Sequence, residues 1–147
     1  MHSLRQRLNA RDESGFTLIE LLVVLIIIGV LLSIAIPSYL GFQKKAQQTA
    51  AMSDVRSAIP DAEAYFSDKD PNSYASMTAA TLKSTYDSGM KVSSSGSDGI
   101  VSAIPSATDT QKYCISAVVS GHWASVKGPG GDVTNNTTAT TDPCSGF

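Results

Sequence analysis

The residues of this chain whose types and spacing point to chemistry sit at the mouth of a long apolar run: Gly15-Phe16-Thr17-Leu18-Ile19-Glu20. From Leu21 to Leu40 no residue is charged, and at helical rise that length covers about 30 Å, the thickness of a bilayer core. An acid at the centre of a membrane helix costs roughly 2.5 to 3.5 kcal/mol, and less near the interface, so Glu20 calls for a cation. No Lys, Arg or His lies between Phe16 and Gln43. A cut between Gly15 and Phe16 would create one, because Phe16 would then carry a free α-amine four residues from Glu20. Two pairings are open. Within one chain, an acid in the first turns of a helix is favoured by the macrodipole and by that same amine. Inside a protein bundle that excludes water and lipid headgroups, the amine of a neighbouring subunit is the other partner.

The residues ahead of the run are short, polar and net positive: Arg5, Arg7 and Arg11 against Asp12 and Glu13. That is a positive-inside arrangement. A secretory signal peptide would end its apolar region in an Ala-x-Ala-like boundary, and none follows Ile36.

The stretch GFTLIELLVVLIIIGVL resembles the processing site and stem helix of type IV prepilins, the family of bacterial pilins and the related type II secretion pseudopilins. The resemblance covers about Arg11 to Leu40, and its short leader and Phe at the cut are similar to the type IVa subgroup. It implies that a prepilin peptidase cuts after Gly15 and that Phe16 becomes the methylated N-terminus. It also implies that Glu20 serves assembly and that Pro37 occupies the usual proline position of the stem. Other subunits, the pilus assembly machinery and, before assembly, inner-membrane lipid are the implied partners. An extracellular pilus on the cell surface is the implied destination, with adhesion, motility or DNA uptake as family functions. A type II secretion pseudopilin is the alternative within the family. From another class, a membrane-anchored extracytoplasmic binding domain that never polymerises would satisfy Glu20 locally.

The rest of the chain points to no catalysis. It shows no nucleophile elbow, no paired His and Cys, no phosphate-cradling Gly loop and no metal-binding His pair. No cofactor is implied. Residues 16–147 hold eight Lys plus Arg against eleven Asp plus Glu, so the mature chain is mildly acidic and offers no broad basic surface for nucleic acid. Lys44, Lys45 and Arg56 read as a solvated helix face rather than a lipid or DNA contact. Asp132, Asn135 and Asp142 lack the spacing of a calcium loop. The overlapping sequons of Asn135-Asn136-Thr137-Thr138 read as an exposed polar loop, while Trp123 and Tyr113 read as sheet-packing residues.

Removal of fifteen residues from 147 leaves 132, of which roughly the first fifty read as helix. The expected fold is α+β, with a long N-terminal transmembrane and stem helix packed on a small C-terminal antiparallel β-sheet head. Its expected parts are the leader 1–15, the membrane and assembly half of the helix 16–40, the exported amphipathic half 41–69 and the head 70–147. In the exported half, Ala46, Ala50, Ala51, Val55, Ala58, Ile59, Ala62 and Phe66 recur at three- and four-residue spacing. Gly29 and Pro37 weaken the helix inside the apolar segment and predict a kink near Pro37, with a further bend at Pro60. The resemblance adds that pilin stems can lose helicity between such positions on polymerisation.

A short helix is expected over Thr78–Ser84, and strands over Lys91–Ser94, Ile100–Ile104, Lys112–Ser120 and His122–Lys127. Ser120-Gly121 and Gly128-Pro129-Gly130-Gly131 supply the turns. One face of the third strand, Tyr113, Ile115, Ala117 and Val119 or their alternates, would be buried. About eighty head residues are near the lower limit for a self-sufficient core. Cys114 and Cys144, an even pair in an exported domain, therefore read as a disulfide rather than a metal site. They would hold the polar segment from Gly128 to Phe147, and in the resembled family such a loop is often exposed on the fibre surface.

Overall fold

A computed structural model describes residues 15–69, 71–93, 98–136 and 141–147. Residues 1–14 of the expected leader, Asp70, Ser94, Thr137 and Thr138 lie outside that set. Two compact units divide at Leu40 and Gly41. Helix α1, Leu18–Asp68, is assigned without a break through Gly29, Pro37 and Pro60.

In the first unit the helix is built from Leu, Ile and Val, and these side chains are exposed along its whole length. In the second unit the same helix becomes one-sided. Ala51, Val55, Ala58, Ala62 and Tyr65 are buried, a stripe at spacings of three and four that falls on one helical face.

The sheet is a four-stranded antiparallel meander in the order β1-β2-β3-β4: β1 Gly99–Pro105, β2 Tyr113–Val119, β3 His122–Gly128 and β4 Thr134–Asn136. β2 and β3 pair in unbroken register from Tyr113↔Gly128 to Val119↔His122. Their connection is Ser120-Gly121, with φ of 49° and 82°. Positive φ at both central residues is what a two-residue hairpin matched to strand twist requires. Between β1 and β2 the register slips between Ile100 and Ser102, a bulge of one residue.

A seven-residue helix α2, Ala79–Thr85, starts at Thr78, whose side chain accepts the Thr81 N–H at 3.1 Å. Leu82 of α2, Tyr65 and Ala62 of α1, and Ile100, Tyr113 and Ile115 of the sheet belong to one core. The expected one-sided burial of β2 is only half of what occurs. Tyr113 to Val118 are buried without alternation, because the helix covers one face and the C-terminal segment covers the other.

Two expectations about strands are corrected. Of the strand expected over Lys91–Ser94, the described residues form a single parallel bridge, Val92↔Ile100, closed by the Ser93 N–H to the Ile100 carbonyl at 2.8 Å and the Ile100 N–H to the Lys91 carbonyl at 2.7 Å. Conversely, Asn135 and Asn136 sit in β4 rather than in a loop. Polar side chains hold this strand, with Thr134 Oγ1 donating to the Ser125 carbonyl at 3.2 Å and Asn136 Nδ2 to Ser125 Oγ at 2.8 Å. Hydropathy alternation therefore carries no sign of it.

Cys114 and Cys144 are bonded, with Cα atoms 5.7 Å apart. A closed loop of 30 residues removes chain entropy from the unfolded state worth about 3 to 4 kcal/mol, a large part of the stability of so small a head.

Candidate assembly site

Gly15 and Phe16 precede α1, and Phe16 is 83% exposed. Thr17 and Glu20 then close the helix start on each other. Thr17 N donates to Glu20 Oε2 at 2.8 Å, Thr17 Oγ1 donates to the same oxygen at 2.9 Å, and Glu20 N donates to Thr17 Oγ1 at 3.3 Å. This is a capping box, in which the cap hydroxyl and the acid three residues on satisfy each other's backbone donors. The carboxylate of Glu20 is thus engaged within one chain, and its partner is Thr17. Thr-x-x-Glu before an apolar run is the sequence signal of such a box, and Thr17 is the site residue that the charge argument alone passes over.

A cut between Gly15 and Phe16 leaves the hydroxyl and N–H of Thr17 intact, so the box is compatible with a processed chain. Only one oxygen of Glu20 is used by Thr17. The other accepts no hydrogen bond among the described residues.

Around and after Glu20, nineteen large apolar side chains from Phe16 to Phe42 inclusive are exposed. Each such side chain gains about 1.5 to 3 kcal/mol on leaving water, so this surface is stable only when lipid or protein covers it. The helix is long and apolar enough to cross a membrane. Gly29 and Pro37 lie inside this surface as helical residues. Lys44, Lys45 and Arg56 are exposed, as a solvated face requires.

The remaining expected residues fall elsewhere. Cys114 lies on β2 and Cys144 in the C-terminal segment, on the face of the sheet turned away from the helix. Tyr113 and Trp123 are buried in the sheet. Among the described residues no group of three or more His, Cys, Asp or Glu is placed to hold a metal ion. Asp142 directs its carboxylate to Ser102, Ser116 and the Cys144 N–H.

Residues 10–36 match the family model of the prokaryotic N-terminal methylation motif. The fimbrial protein EcpC of Eikenella corrodens is 33% identical over 103 residues, covering 68% of this chain and 67% of that one. The type IV major pilin protein PilA of Myxococcus xanthus is 42% identical over 64 residues, 44% of this chain and 29% of that one. The type II secretion system core protein G of Aeromonas hydrophila is 47% identical over 45 residues, 31% of this chain and 32% of that one. The chain therefore spans about two thirds of the Eikenella protein and less than a third of the other two. No solved structure matches.

Proposed function

Since the chain belongs to the type IV pilin and pseudopilin family, we propose that it is the structural subunit of a type IV pilus. In this reading prepilin peptidase cuts after Gly15, Phe16 is N-methylated, and the processed chains polymerise through the apolar half of α1. Residues 1–15 are the leader, 16–40 the membrane and assembly segment, 41–69 the exported half of the helix and 70–147 the head.

The observation that carries the proposal is the exposed apolar surface from Phe16 to Phe42 with one acid at its start. Before assembly, inner-membrane lipid covers that surface and the headgroup region solvates Glu20. In a fibre, the apolar halves of neighbouring helices cover one another. Water and headgroups are then absent, and an acid left there without a counter-charge is expensive. The α-amine of Phe16 from a neighbouring subunit is the cation at hand. It neutralises Glu20 through the oxygen that Thr17 leaves free. Gly29 and Pro37 weaken the helix inside this bundle and are the positions where it bends or loosens as subunits pack.

The pseudopilin reading rests on the resemblance to core protein G, which extends over 45 residues, few enough to fit within α1. The match to EcpC covers 68% of the chain, too much to be confined to the 51 residues of the helix. It must extend into the head, and this favours the pilus.

The test is the composition of sheared surface filaments. Intact-mass measurement is expected to show chains that begin at a methylated Phe16 and retain the disulfide. Processed chains found only in the membrane fraction would overturn the proposal, and short fibres confined to the periplasm would establish the pseudopilin instead.

A further inference from the structure

A polar clasp holds the C-terminal segment to the sheet, apart from the residues of the proposed assembly site. Asp142 lies two residues before Cys144. Its Oδ1 accepts the Ser116 hydroxyl at 2.6 Å and the backbone N–H of Cys144 at 2.9 Å, while its Oδ2 accepts the Ser102 hydroxyl. Ser102 belongs to β1 and Ser116 to β2. Ser116 is two residues along β2 from Cys114 and so stands on the same face of the sheet. Ser116, Cys114 and Cys144 are all fully buried. One carboxylate therefore grips the strand that carries the first cysteine and the backbone amide of the second. None of these contacts involves sulfur, so the dithiol chain can make them too. Hydrogen bonds to an ionised carboxylate are the stronger kind.

We infer that Asp142 is a positioning residue for oxidation of the head: it docks the C-terminal segment on β1 and β2 before the bond exists and holds Cys144 over Cys114. Oxidation itself is exchange with a small disulfide. One protein thiolate attacks that disulfide and releases its first half as a thiol. The other protein thiolate attacks the mixed disulfide and releases the second half. The two protein thiols are oxidised, the small disulfide is reduced, and two protons pass to its two leaving thiolates. Asp142 touches no reacting atom. It acts by raising the concentration of one thiol at the other, which is what orientation contributes to any two-centre reaction.

The experiment equilibrates the processed full-length chain in detergent micelles with reduced and oxidised glutathione and measures the effective concentration of the cysteine pair. Asp142→Asn keeps the side chain's size and removes its charge, and it is expected to lower that concentration about tenfold or more, the equivalent of one charge-assisted hydrogen bond. Tyr74→Phe, which removes a hydrogen bond to Glu63 of α1, is expected to leave it within about twofold because distant sites act independently. A second readout separates docking from general stability. In a chain carrying Cys114→Ser and Cys144→Ser, the residue 144 amide stays protected from hydrogen exchange, and Asp142→Asn removes that protection. The inference is overturned if Asp142→Asn oxidises like the parent, if Tyr74→Phe lowers the effective concentration equally, or if the amide is unprotected in the double-serine chain. Should Asp142→Asn fail to fold, Ser116→Ala replaces it with the same expected direction and the same overturning results.

Discussion

Glu63 of α1 and Tyr113 of β2 are separated by fifty residues of chain and joined by a hydrogen bond of 3.1 Å. The second oxygen of the same carboxylate accepts the Tyr74 hydroxyl at 2.8 Å, and the two tyrosine rings stand 4.6 Å apart. One acid thus ties helix, loop and sheet together. Burial first, and Glu63 second, push the ionisation of both phenols well above the usual tyrosine range.

The alkaline limit of the head follows from this. A phenol whose ionisation is harder in the folded state contributes stability that is complete below its unfolded value, near pH 10, and is lost as pH rises through the folded value. Urea unfolding of the head is therefore expected to weaken steadily above about pH 10. Tyr74→Phe should flatten that decline and cost about 1 kcal/mol at neutral pH for the lost hydrogen bond. A decline that is unchanged in Tyr74→Phe and Tyr113→Phe chains would show that other groups set the limit.

Gly128 is constrained by the same tyrosine. A Cβ built there would stand 2.1 Å from the Tyr113 ring, and Glu63 and Tyr74 hold that ring from its other sides. Gly128→Ala should therefore destabilise the head by about 1 to 3 kcal/mol, the usual cost of overpacking. Gly121→Ala provides the contrast. It meets no neighbouring atom but adopts a φ of 82°, so its cost of about 1 kcal/mol is backbone strain alone. Thermal melts of the two variants should rank in that order.

What the sequence made legible were features that depend on local pattern. The apolar run, the three-and-four spacing of Ala51 to Ala62 and the turn at Ser120-Gly121 all follow from periodicity and φ preference, and each has its counterpart in the structure. Features made by distant residues were not legible. Glu63 reads as a solvent-facing acid of an amphipathic helix until Tyr74 and Tyr113 arrive from elsewhere in the chain. Asp142 reads as a loop residue until Ser102 and Ser116 meet it. β4 escapes for a related reason, since side-chain hydrogen bonds to Ser125 replace the apolar alternation that marks a strand.

At Asp61 the substitution is expected to stabilise. Its Oδ2 is buried with no hydrogen-bond partner among the described residues, and burial first, then Asp87, raise its pKa. A raised carboxyl contributes stability that is present when it is protonated, below about pH 4, and lost as pH rises through the folded value. At neutral pH the ionised group therefore works against folding. Asp61→Asn should stabilise the head by up to about 1 kcal/mol at pH 7, a small gain because the side chain is only half-buried, and by nothing in acid. Denaturant midpoints at the two pH values decide it, and an equal gain at both would refute the charge argument.

The pair Thr17 and Glu20 separates helix capping from assembly. Glutamine can replace the acid in a capping box, so Glu20→Gln should leave the helix start of the single chain formed while removing the charge proposed to answer a neighbour's amine. Thr17→Val does the reverse, costing about 1 kcal/mol of capping and leaving the acid in place. If assembly depends on charge pairing, Glu20→Gln chains are processed and reach the membrane but give few or no filaments, whereas Thr17→Val chains still polymerise. Should Thr17→Val abolish filaments and Glu20→Gln preserve them, the helix start and not the buried charge would be what assembly requires. Filament yield in the sheared fraction, normalised to processed chain in the membrane, distinguishes the two.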